Sequence, residues 1–150
     1  MVINEWIFHD IRGENGSDFQ ERTERFLQEL IGGPDQIVVL RETRWTEKAW
    51  QLWEEHDTRV QVLSKLLYLG ILIDPLKCRY LGQHEISPLP ADLAAQVPAD
   101  DAYLFQTALA GGATLIVTSD GRLIAMVTSA HHHGIQLRPR AEFVAEYLGL

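Results

Sequence analysis

The sequence predicts an α/β protein with a mainly parallel central sheet flanked by helices. Two observations lead there. Short apolar runs such as Gln36–Leu40 and Thr114–Thr118 alternate with longer stretches whose apolar residues recur every three to four positions. Glycine and proline clusters, Gly32-Gly33-Pro34 and Gly111-Gly112, fall between the two kinds of segment. Strands that alternate with helices pair in parallel through right-handed crossovers, so both faces of the sheet are covered. With 150 residues, 46% of them hydrophobic, the chain has the size and composition of one domain over residues 1–150.

The elements follow in order. Met1 to Asn4 is a short apolar strand, and Trp6, Ile7 and Phe8 begin a helix before the turn at Gly13 to Gly16. Ser17 caps the next helix, whose buried stripe is Phe19, Thr23, Phe26, Leu27 and Leu30. Gln36 to Leu40 is a strand, because five residues are too few for an isolated helix. Trp45, Ala49, Leu52 and Trp53 form one core stripe, and Val60, Leu63, Leu67 and Ile71 a second. Residues 72–82 fit either an extended segment or a loop, and Ser87 to Pro98 carries three prolines and one short helical turn. Asp100 to Leu109 is a helix and Thr114 to Thr118 a buried strand. A helix from about Arg122, a strand around Ile135 to Leu137 and a helix after Pro139 complete the chain.

Composition excludes several functions. One cysteine, Cys78, builds neither an intrachain disulfide nor a Cys-rich zinc site. No apolar run approaches the 18 or so residues of a membrane span, and the opening lacks the basic flank of a secretory signal, so a soluble, cytoplasmic protein is expected. A net charge of −8 disfavours a general nucleic-acid coat. Charge is unevenly spread, however: residues 80–121 hold five acids and no base, Asp100, Asp101 and Asp120 among them. In a parallel sheet, ligands bind beyond the carboxyl ends of the strands. Asn4 ends the first strand, Asp120 follows a later one and Asp101 opens the helix between, so these side chains gather at one edge. Carboxylates without Cys or His partners suit a hard cation, Mg²⁺ or Mn²⁺. Each acid alone is equally a helix-terminal or turn residue.

The stretch Pro98 to Leu123, PADDAYLFQTALAGGATLIVTSDGRL, resembles the carboxyl half of PIN domains: an acid opening an apolar helix, then an apolar strand ending Thr-x-Asp. The tail Gly134 to Val144, GIQLRPRAEFV, resembles their last strand and helix. The resemblance implies a PIN-like three-layer α/β/α fold and a metal-dependent endoribonuclease, similar to VapC toxins of toxin-antitoxin pairs. It implies RNA as substrate, Mg²⁺ or Mn²⁺ as cofactor, and leaves open an antitoxin-like protein partner and a homodimer. Asp101 and Asp120 become metal-site acids, Thr118 the hydroxyl that orients the site, and Glu47 the acid of the helix after the second strand. Glu42 rivals Glu47; about 140° apart on a helix, only one of them can face the site. The amino end departs from the family, for Asn4 stands where PIN domains carry Asp. A neutral ligand there weakens the hold on a cation and makes an impaired, binding-only module the alternative. Glu5 can supply the charge only if the strand ends before it.

Other constellations are weaker. His131, His132 and His133 splay about 100° apiece on a helix, which makes them an exposed helix end. Asp120-Gly121 is similar to a turn of haloacid dehalogenase-like phosphatases, but no strand end carries their nucleophilic aspartate. The glycine pairs match neither dinucleotide nor phosphate-loop patterns, and no Gly-x-Ser-x-Gly elbow occurs. Arg41, Arg44, Lys48 and Arg59 share the one long segment with a positive balance, an RNA-guiding flank in which Trp50 is the tryptophan expected at the surface.

Overall fold

The computed structural model describes all 150 residues. Five strands, β1 (Val2–Ile3), β2 (Ile37–Leu40), β3 (Cys78–Leu81), β4 (Leu115–Thr118) and β5 (Gln136–Pro139), alternate with eight α-helices. The helices are α1 (Trp6–Ile11), α2 (Ser17–Gly32), α3 (Arg44–Trp53), α4 (Thr58–Leu67), α5 (Ala91–Gln96), α6 (Ala102–Gly111), α7 (Gly121–Met126) and α8 (Arg140–Tyr147).

Every paired strand is parallel. β1, β4 and β5 form one ladder, β2 and β3 another. Met1 joins the two. Its amine donates to the Gln36 carbonyl at 2.8 Å, and its carbonyl accepts the Val38 N–H at 2.9 Å. One residue bonding to positions on either side of its opposite number is the parallel pattern. The strand order is therefore β3-β2-β1-β4-β5, and the connections reverse direction at β1 and β4.

Alternation along the strands divides the interior in two. Ile3, Ile37, Val39, Cys78 and Val117 join α1, α2, α3, α4 and α8 in one core of 22 buried residues; Val2, Val38, Leu40, Leu81 and Ile116 join α5, α6 and α7 in another of 14. Because neither face is left to water, β2 reads as an unbroken apolar run, IVVL, buried throughout.

Several boundaries differ from the sequence expectation. β1 stops at Ile3, although the Asn4 N–H still donates to the Val117 carbonyl at 3.0 Å. Gly16, with φ of 101°, is the residue preceding α2, so Ser17 is the first helical residue and not its cap. Asp100 and Asp101 lie in a tight 3₁₀ turn, Ala99–Asp101, and α6 starts at Ala102. β3 lies in the segment left ambiguous, because CRYL is an edge strand with a single neighbour and its Arg79 is exposed. Trp53 is 40% exposed against Tyr68, outside the core where the helical stripe put it. A segment of wider turns, Tyr68–Leu72, prolongs α4 and carries Ile71 into the core.

Cys78 on β3 is buried, and burial pushes its thiol up to about 11. At pH 8 the native protein is expected to resist thiol reagents, and labelling should track unfolding; labelling at the rate of a free thiol would show that β3 opens on its own.

Candidate functional site

The connections change direction between β1 and β4, and in open parallel sheets ligands bind at such a point, beyond the carboxyl ends of the strands. Two polar side chains, Asn4 and Thr118, link the two strand ends. The Asn4 amide nitrogen donates to Thr118 Oγ1 at 3.1 Å, and Thr118 Oγ1 accepts the Asp120 N–H at 3.1 Å. Asp120 Oδ1 then caps α7, accepting the Arg122 and Leu123 N–H groups at 2.9 and 3.2 Å. Thr118 is fully buried, so its hydroxyl fixes the edge.

Asp101 reaches this edge from the start of α6 and makes no hydrogen bond through its side chain. Its carboxyl is raised above the ordinary value, first by burial and next by the negative charge of Asp120, with smaller contributions from Asp100 and Glu5 opposed by Arg44. The two aspartates expected to act together are thus electrostatically coupled.

Asn4 is bonded through both polar atoms of its side chain, and Glu47 lies in the helix after β2. Asn4 Oδ1 already accepts the Glu5 N–H at 2.7 Å and its nitrogen is spent on Thr118, so Asn4 clasps β1 to β4. Glu47, in the first turn of α3, is exposed and has no ion-pair partner. Glu42 is not helical at all: it precedes α3 with φ of 61°, so the angular argument between the two acids does not arise. His131 and His132 are exposed, as a helix end should be, and His133 pairs with Asp92 at 2.8 Å.

Glu5 lies close enough for its charge to act on Asp101. Because β1 ends at Ile3, Glu5 sits at the start of α1 and turns toward the same edge, with its side chain 14% exposed. Arg44 Nε lies 2.6 Å from Glu5 Oε1, and Lys48 Nζ 3.4 Å from Oε2. Residues four apart share a helix face, so the signal for this pair was present in the spacing of Arg44 and Lys48. Tyr103 completes the neighbourhood. Its ring lies 5.7 Å from the Arg44 guanidinium carbon, its hydroxyl is buried without a partner, and burial followed by the charge of Glu5 raises its phenol.

The charges of Asp120, Asp100 and Glu5 all raise the Asp101 carboxyl while that of Arg44 opposes them, so the edge has an excess of negative charge. No three His, Cys, Asp or Glu side chains converge as a ready-made cage. The donor set fits Mg²⁺ in its usual mode, in which one or two carboxylates hold an ion that keeps several waters. Asp101 is free of other bonds, and Asp120 has Oδ2 to spare.

Fold and site together define an α/β protein with a paired-aspartate edge at its topological switch point. No family model, curated protein or solved structure matches the chain. No helix is long and apolar enough to cross a membrane.

Proposed function

We propose that this is a PIN-like three-layer α/β/α domain that hydrolyses RNA phosphodiester bonds with Mg²⁺ or Mn²⁺. The observation that carries the reading is the coupling of Asp101 to Asp120 beside Thr118, at the carboxyl ends of β1 and β4. The Asp101 carboxyl is raised first by burial and next by the charge of Asp120, the combination found where a carboxylate pair is poised for a cation. Asp101 and Asp120 would hold the ion, which when bound supplies an activated water and neutralises charge on the phosphoryl group. Thr118 fixes the Asp120 backbone, and Asn4 holds β1 against β4.

A second reading, a PIN-like module that binds without cleaving, draws support from Glu5 and Asn4. Glu5 is engaged by Arg44 and Lys48, and Asn4 is neutral and spent on internal hydrogen bonds. Exposed Trp50, Val62, Leu69 and Ile73 on and after α3 and α4 support a protein partner, whether an antitoxin-like chain or a second copy.

Thermal melts and RNA cleavage with and without Mn²⁺ test the main reading. An ion that binds only the native state raises the melting temperature as its concentration rises. Millimolar Mn²⁺ should stabilise the protein and support cleavage of single-stranded RNA that EDTA stops. Neither effect at any concentration would favour the binding-only module.

A further inference from the structure

We propose that Arg44 and Lys48 form the contact for RNA phosphates, and that Glu5 occupies them until substrate or an ion draws it away. The ligand's identity rests on the ribonuclease reading; the geometry of the pair does not.

Arg44 and Lys48 project from one face of α3, and both nitrogens close on a single carboxylate, one on each oxygen. The guanidinium fork and the ammonium that grip a carboxylate are the groups that grip a phosphodiester, which presents two oxygens in a similar spread. Glu5 is therefore an internal surrogate for that anion. It is the more buried member, while Arg44 and Lys48 keep side-chain exposures of 42% and 29%, so a ligand from solvent can reach the cations. Their place suits the chemistry: the Arg44 guanidinium carbon lies 5.7 Å from the centre of the Tyr103 ring, in the first turn of the helix that Asp101 precedes, so a phosphate held by α3 lies on the Asp101 side of the fold.

Glu5 also gives the pair a means of control. With no cation bound, the edge is net negative and disfavours RNA; a cation held by Asp101 and Asp120 would lower that charge and would compete with Arg44 and Lys48 for Glu5, leaving them freer for substrate. Phosphate binding and ion binding should then reinforce each other.

The test is the binding of a short labelled single-stranded RNA, followed by anisotropy in EDTA, where no cleavage occurs, with melts confirming that each variant is folded. Glu5→Gln removes the surrogate anion and should tighten binding on the order of tenfold at low salt. Asp100→Asn removes the same charge from the same edge without touching Arg44 or Lys48, and should gain far less. Arg44→Gln with Lys48→Gln should weaken binding and lower the salt slope by about 1.4, the value for two phosphates on a single strand. These two helix positions are partly exposed, so this variant carries the test if Glu5→Gln fails to fold. With single-stranded DNA of the same sequence, which lacks the ribose hydroxyl but keeps the phosphates, and with its length checked after the run, Mn²⁺ should tighten binding of the unaltered protein more than that of Glu5→Gln. Equal gains for Glu5→Gln and Asp100→Asn, or no loss in the Arg44-Lys48 variant, would overturn the assignment whatever cleavage shows. If Mn²⁺ neither stabilises the protein nor supports cleavage while the EDTA results hold, the ribonuclease reading fails and the phosphate contact stands.

Discussion

Replacing Asp10 with alanine is expected to lower the unfolding free energy by about 3–5 kcal/mol, the loss typical when one partner of a buried ion pair is removed. Asp10, on α1, is 1% exposed. Its carboxylate accepts from Arg140 Nη1 at 2.5 Å, from Asn15 Nδ2 at 2.7 Å and from Thr23 Oγ1 at 3.3 Å. One side chain thus ties together α1, the turn after it, α2 and the start of α8. Without it the Arg140 guanidinium remains largely enclosed, stacked 3.9 Å from the centre of the Phe19 ring and with its Nε already lacking an acceptor. For a chain of this length such a loss lowers the melting temperature by about 10 °C or more. Combining Asp10→Leu with Arg140→Met should recover most of it, since apolar replacement of a whole buried pair is often neutral. A fall of less than 1 °C in Asp10→Ala would show that the pair contributes nothing net.

The second large effect is expected at the paired aspartates. Asp101→Asn should abolish Mn²⁺-dependent stabilisation and cleavage, yet slightly stabilise the metal-free protein. The sign follows from linkage. The Asp101 carboxyl is raised above 3.8 in the folded state, so between that value and its folded value the native protein binds the proton more tightly than the unfolded chain. Asp101 therefore costs stability as pH rises through that window, and the cost persists above it. Asparagine, never charged, removes it. Asn4→Asp should act in the opposite direction on the ion. The Thr118 hydroxyl can turn its proton toward the new carboxylate while still accepting the Asp120 N–H, so the clasp survives and the edge gains a negative oxygen. A charge near a divalent ion in a partly desolvated site is worth on the order of a few kcal/mol, and cleavage should rise by roughly a hundredfold. Titration calorimetry with Mn²⁺, beside cleavage assays on purified protein, checks both variants. Unchanged affinity and undetectable cleavage in Asn4→Asp would leave the binding-only module as the better account.

The helices were legible because their cores lie at helical spacing: Phe26, Leu27 and Leu30 on α2 and Val60, Leu63 and Leu67 on α4 are buried as the periodicity requires. The central strands were legible for a related reason, since a strand covered on both faces reads as a continuous apolar run. β3 was not, because an edge strand with polar residues satisfies the same local pattern as a loop. Trp53 was misplaced because a periodic stripe gives the direction of a helix face and not where its neighbours end.

At the site, the sequence by itself determined which residues could act. Strand ends and helix starts are local features, so Asn4, Asp101 and Asp120 could be assigned to one edge from alternation and the parallel-sheet rule alone, whereas Thr118 came from the resemblance to PIN domains. What occupies that edge beside them was decided by tertiary structure. Whether β1 stops at residue 3 or 4 determines whether Glu5 turns inward, and that depends on β1 pairing with β4, over a hundred residues away. Which face of α3 meets the edge determines that Arg44 and Lys48 reach Glu5, and that orientation is set by burial of Trp45, Ala49 and Leu52 against α1 and α4. The pairing of Asp10 with Arg140 spans 130 residues, a distance at which no local preference acts. Local sequence fixes backbone conformation through steric and hydrogen-bonding preferences of neighbours; the partner of a charge is chosen only when the packed core brings distant elements together.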